Sequence, residues 1–177
     1  MIEYSTKALV LDAENINELD KLVYLYTEEL GKVVARAKSA RKITSKLAAY
    51  LEPLNFIRVR LVEKNGFQIV DALSFDKIAA SQQNLAISQF IKEMTAEFQP
   101  DKKLWRFIRQ SAEKDFSYRP LLKILGFDPD FARCHICDSP SVVYFFKNDQ
   151  IFFCQRCFLR GSKILKDEIV LLESLKV

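Results

Sequence analysis

Residues 21–38, KLVYLYTEELGKVVARAK, decide how the first part of this chain folds. From Lys32 onward, Val33, Ala35 and Ala37 point one way while Lys32, Val34, Arg36 and Lys38 point the other. That is the period-two pattern of a strand with one dry face and one wet, basic face. A tight turn at Gly31 joins it to the strand that precedes it. The same pattern recurs in 56–73, FIRVRLVEKNGFQIVDAL, with Ile57, Val59 and Leu61 on the core side and Phe56, Arg58 and Arg60 on the outer side. Asn65-Gly66 in its middle suits a type I′ hairpin turn. With TKALVLD (6–12) in front there are five short strands in about 70 residues. Five strands of that length suit a small closed barrel, and the OB-fold is the five-stranded member of that class. Residues 39–53, SARKITSKLAAYLEP, read as a loop with a short helical turn between the third and fourth strands.

Beyond residue 75 the apolar period lengthens to 3.6. Ile87, Phe90, Ile91, Met94 and Phe98 mark one helix ended by Pro100. Asp101 caps a second, whose buried face is Leu104, Phe107, Ile108 and Ala112, with Trp105 in or near the core and Lys102, Arg106 and Arg109 opposite. RPLLKILGF (119–127) is a third, with Pro120 in a start and Gly126 in a stop position. Leu165, Ile169 and Leu172 suggest a last amphipathic helix near the end. The expected fold class is α+β: an N-terminal OB-fold β-barrel at 1–75, a helical domain at 76–133, a four-cysteine zinc-binding hairpin module at 134–160, and a C-terminal helix at 161–177 packing on the helical domain.

The chain has 177 residues, four of them Cys and one His, and a net charge of +4. No stretch approaches the ~20 apolar residues that span a bilayer, and no secretory leader is present, so a cytoplasmic protein is expected. All four cysteines fall in two CxxC pairs, Cys134/Cys137 and Cys154/Cys157, sixteen residues apart. In a reducing compartment such spacing points to metal. Four thiolates form the closed tetrahedral sulfur site that suits structural Zn²⁺, and VVYFFKNDQIFF (142–153) has the form of a hairpin that brings the knuckles together. His135, inside the first knuckle, reads as an exposed non-ligand. As the sole histidine it leaves no residue for Ser-His-Asp, Cys-His or HExxH chemistry, and no glycine-rich phosphate loop exists. No catalytic constellation emerges, so the chain is not expected to be an enzyme.

What remains is a segregation of charge. Residues 31–46, GKVVARAKSARKITSK, hold six cations and no acid, although the first 75 residues are nearly balanced. Lys32, Arg36, Lys38, Arg41, Lys42 and Lys46 lie on one strand face and the loop after it; Arg58 and Arg60 line another strand beside Phe56, and Tyr24 and Tyr26 share a side. Cations that track a backbone, interleaved with aromatics that stack bases, are how OB-folds hold single strands. Two other readings stay open: an adaptor whose basic patch receives an acidic peptide, and a zinc-ribbon factor for RNA polymerase or ribosome.

The stretch 7–61, KALVLDAENINELDKLVYLYTEELGKVVARAKSARKITSKLAAYLEPLNFIRVRL, resembles the N-terminal domain of the RecO family. Downstream, RPLLKILGFDPDFARCHICDSP (119–140) and FFCQRC (152–157) resemble that family's cysteine region. The resemblance implies a DNA repair and recombination mediator, nucleoid-associated and without enzymatic turnover. Such a protein binds single- and double-stranded DNA without sequence specificity and anneals complementary strands. It also engages the single-stranded DNA-binding protein (SSB) and RecR and so helps RecA to load. The DNA surface then falls on Lys32, Arg36, Lys38, Arg41, Lys42 and Lys46, and the zinc on Cys134, Cys137, Cys154 and Cys157.

Overall fold

The computed structural model describes residues 2–42, 44–112, 116–161 and 169–172. The chain divides into two compact units, Met1–Phe116 and Ser117–Val177.

In the first unit, β1 (Ile2–Ile16), β2 (Asp20–Thr27), β3 (Gly31–Ala37), β4 (Asn55–Glu63) and β5 (Phe67–Lys77) close a barrel in the order β1-β2-β3-β5-β4. All neighbours are antiparallel except β3 and β5, which close the cylinder in parallel through Ala35–Phe67 and Arg36–Gln68. Val33, Ala35 and Ala37 face inward with Ala8, Val10, Val23, Leu25, Ile57, Val59 and Leu61, and the short helix α1 (Leu47–Tyr50) packs Leu47 and Tyr50 against that core. The α+β class and the five-stranded OB-like barrel are thus as the sequence predicts. Asn65 and Gly66 both take positive φ, 52° and 103°, as a type I′ turn requires. Gly31 has φ 70°, and a Cβ there would sit 2.5 Å from the carbonyl carbon of Gln99, so both conformation and space demand glycine.

Helices α2 (Gln82–Met94) and α3 (Lys102–Gln110) follow the barrel. Ser81 and Asp101 cap their N-termini through side-chain oxygens, the latter accepting from the Lys103 and Leu104 amides. The helices build a second core on the outside of the barrel. Leu9, Leu11, Tyr26 and Phe56 are fully buried although none belongs to the barrel interior. The Ser88 hydroxyl donates to Leu11 O at 2.9 Å, the Asp101 amide donates to Tyr26 Oη at 3.2 Å, and Trp105 meets Phe56 edge-on at 6.3 Å. Phe56 and Tyr26 therefore do not line an open outer face, because the helical segment lays its apolar stripe on that side of the strands. Phe98 also departs from expectation: α2 stops at Met94, and Phe98 lies beyond it in an exposed turn.

The second unit holds α4 (Tyr118–Ile124), a hairpin of β6 (Tyr144–Phe146) and β7 (Ile151–Phe153), α5 (Gln155–Gly161) and β8 (Ile169–Leu171). Its sheet runs β7-β6-β8, all antiparallel. The expected C-terminal helix is corrected here: Ile169–Leu171 is a strand, and Leu165 lies outside the described residues. The hairpin leaves one edge of β6 unpaired, and a run of Ile, Val and Leu satisfies it while burying Val170. Phe145 packs on Phe127 at 5.3 Å and on Phe152 at 4.9 Å to form this unit's core.

Candidate functional site: a basic barrel rim and a four-cysteine centre

The basic surface is built where β3 leaves the barrel. Asp20 opens β2, and its carboxylate accepts from Arg36 Nε at 2.9 Å and from the Ser39 amide at 2.7 Å. The Ser39 amide and then the Arg36 guanidinium hold the Asp20 carboxyl below the usual carboxylate range. Arg41 donates through Nη1 to the carbonyls of Asn17 and Glu18, at 3.0 and 2.9 Å, tying the β3–α1 loop to the β1–β2 turn. Lys32, at the far end of β3, donates to Lys92 O in the last turn of α2 at 2.8 Å, where a cation satisfies an orphan helix carbonyl. Three of the six cations are thus engaged in holding the barrel. Lys38, Lys42 and Lys46 are exposed, and among the described residues their side chains make no salt bridge or hydrogen bond.

Arg58 and Arg60 are exposed on β4, which β5 separates from β3 on one side and β1 with β2 on the other. The structure does not bring them to the rim: Arg60 pairs with Glu3 at 3.4 Å and faces Asp71 across the sheet, while Arg58 lies between Lys7 and Leu73. Tyr24 lies under the Lys92 ammonium, 3.9 Å from its ring centroid, so one face of that ring is taken. Lys92 also binds Asp12 at 2.7 Å and Glu14 at 3.0 Å, clamping α2 to β1. Burial opposes the shift, but the Lys92 bond keeps the Asp12 carboxyl below its ordinary value.

In the second unit, Cys134 and Cys137 sit on a turn held by the Cys134 amide to Ser139 O, 2.8 Å, and the His135 amide to Phe152 O, 2.9 Å. Cys154 immediately precedes α5 and Cys157 lies in its first turn. All four Sγ atoms lie within 4.8 Å of one another, and Cys137 and Cys154 are 3.7 Å apart. A tetrahedral ion with bonds of ~2.3 Å needs sulfurs ~3.8 Å apart, so the four donors fit. His135 is exposed and outside the group, as the sequence suggests. Burial raises the Cys134 thiol, yet the Cys154, Cys137 and Ile136 amides bring it down to about 6. Hydrogen bonding to Cys137 and then burial push Cys157 up to about 12. A bound cation would hold all four as thiolates. Arg156, whose guanidinium is hydrogen-bonded to Cys137, adds positive charge beside them.

A closed barrel with a loop-borne basic rim defines an OB-type module, and comparison with known proteins places it. Residues 1–75 match the family described as "Recombination protein O N terminal". The chain is 31% identical over 157 residues to DNA repair protein RecO of Clostridium novyi, covering 76% of this chain and 60% of that protein. It is 26% identical over 182 residues to DNA repair protein RecO of Caldanaerobacter subterraneus, covering 92% and 70%, and 24% identical over 204 residues to that of Symbiobacterium thermophilum, covering 99% and 79%. Residues 1–75 thus resemble the N-terminal domain of the RecO family, and the chain spans about three-fifths of the Clostridium relative's length. Among the described residues no helix is long and apolar enough to cross a membrane.

Proposed function

We propose that this chain is a non-enzymatic DNA repair and recombination mediator. It binds single- and double-stranded DNA without sequence specificity, anneals complementary strands, and acts with SSB and RecR to help RecA load. The observation that carries this reading is the trio Lys38, Lys42 and Lys46, exposed and without an ion pair among the described residues, on the β3–α1 loop of the family's N-terminal barrel. OB-folds take oligonucleotides on the face of strands 2 and 3 and on the loops between strands 1 and 2 and strands 4 and 5, and the trio continues directly from the end of β3. Lysines that neutralise phosphate on two strands lower the repulsion that opposes annealing, and they do so by releasing counterions irrespective of sequence. The four cysteines, in this proposal, hold one structural Zn²⁺ that stabilises the second unit, since a closed sulfur set leaves no position for substrate.

The test is annealing of complementary oligonucleotides, naked and SSB-coated, by the wild type and by a Lys38→Ala/Lys42→Ala/Lys46→Ala variant over a salt series. The expected result is annealing by the wild type, with the variant losing activity and its log–log salt slope for single strands shallower by about 2, from ~0.7 per lost phosphate contact. If the wild type neither binds nor anneals DNA, the basic rim serves a protein partner and the adaptor reading replaces this one.

A further inference from the structure

Phe98 is the oddest residue of the first unit. It is 53% exposed, and its backbone φ is 58°, a conformation that disfavours a bulky side chain. The conformation is over-determined by its surroundings. The Phe98 amide donates to Lys32 O at 3.0 Å, Glu97 bridges to Lys32, and the ring lies 5.6 Å from Phe67 at 30°. Phe67 in turn pairs with Ala35 across the β3–β5 closure, and the next pair is Arg36–Gln68. An aromatic face is thereby held against the seam of the barrel, at the Lys32 end of β3. Strained conformations that their surroundings over-determine cluster at ligand-binding and switch regions.

We propose that Phe98 is the base-stacking platform of the strand-binding face. This rests on the nucleic-acid reading above. It is held on the strand that leads to the lysine rim: six residues along β3, about 20 Å, separate Lys32, which anchors Phe98, from Lys38. That span matches about six stacked nucleotides at ~3.4 Å each. Tyr24 and Tyr26 do not compete, since Lys92 covers one and the helices bury the other. Glu97 beside the ring repels phosphate, so this spot takes a base while the lysines take the backbone. Phe75, the other exposed aromatic ring of this unit, is backed by Phe56 and by the Arg109 guanidinium at 5.3 Å, away from the rim on β5.

The experiment uses the full chain with three labelled ligands: oligo-dT, an abasic strand of the same length, and a duplex. Phe98→Ala is expected to weaken oligo-dT binding at least about fivefold, the low end for one stacked base. Abasic-strand and duplex binding, and the salt slope, should stay as in the wild type. Phe98→Gly suits the positive φ, which offsets the lost ring contact with Phe67, and should fold while losing the same affinity. Phe98→Trp should bind oligo-dT and show emission quenched by it but not by the abasic strand. Phe75→Ala should bind all three ligands normally.

Unchanged oligo-dT binding in Phe98→Ala overturns the proposal. So does an equal loss for all three ligands, an equal loss in Phe75→Ala, or Trp emission that oligo-dT leaves unmoved. If the wild type binds none of the ligands, the strand-binding reading falls and this inference with it.

Discussion

Arg36 and Asp20 form a closed pair in which one carboxylate takes the guanidinium on one oxygen and the Ser39 amide on the other. Arg36 therefore braces the β3–α1 loop while its side chain stays 44% exposed. Arg36→Ala is expected to lower thermal stability measurably, because it leaves the largely buried Asp20 carboxylate without its cation. Lys38→Ala should leave the melting temperature within the scatter of surface substitutions and weaken DNA binding instead. Equal effects on stability from the two variants would sink the distinction.

Gly31→Ala should destabilise the first unit by about 1–3 kcal/mol, the range for forced overpacking with backbone shifts. The added methyl meets backbone atoms of Gln99 and Pro100, which cannot swing aside as a side-chain tip would. Urea unfolding measures it, and an unchanged midpoint would show that the 99–100 segment yields freely.

Acid should loosen the clamp between α2 and β1. The Asp12 carboxyl is held below its unfolded value of about 3.9, so its stabilisation is complete above that pH and is lost as pH falls through the folded value. Asp12→Asn should be less stable than the wild type at neutral pH, and the difference should shrink as pH drops from about 5 towards 3. A gap that stays constant over that window would mean the Lys92 ammonium gains nothing from this partner.

Removing one sulfur should empty the four-cysteine centre. Cys154→Ser is expected to lose bound zinc and to lower the unfolding temperature of the second unit, while DNA binding through Lys38, Lys42 and Lys46 persists. Metal content by emission spectroscopy and thermal unfolding are measured on the same sample. Loss of metal with stability unchanged would show that the ion is not a fold element.

The strands of the barrel and the two cysteine knuckles could be read directly, because each rests on a local signal: alternation in KVVARAK, a turn dipeptide at Asn65-Gly66, a fixed spacing between thiols. What escaped depends on which second element covers a face. Phe56 alternates with Arg58 and Arg60, and nothing within β4 says that Trp105 will close over the first and leave the other two in water. Phe98 continues the apolar stripe of α2 at helical spacing, yet the chain turns at Thr95 to reach β3. Ile169 and Leu172 fit a helical period as well as a strand, and pairing with β6 decides. Among the cations, composition located the cluster but not its division, since only the positions of Asp20, Asn17 and Lys92 reveal which charges are already engaged.

The order of the sheet in the second unit has a consequence for biosynthesis. The four sulfurs are complete once residue 157 has been made, whereas the third strand ends at Leu171 and docks on the edge of β6 that the hairpin leaves open. On a ribosome the knuckles can capture their ion while that edge is still bare. In the zinc-bound form proposed above, the metal would be the template, and the last strand the seal that arrives after it.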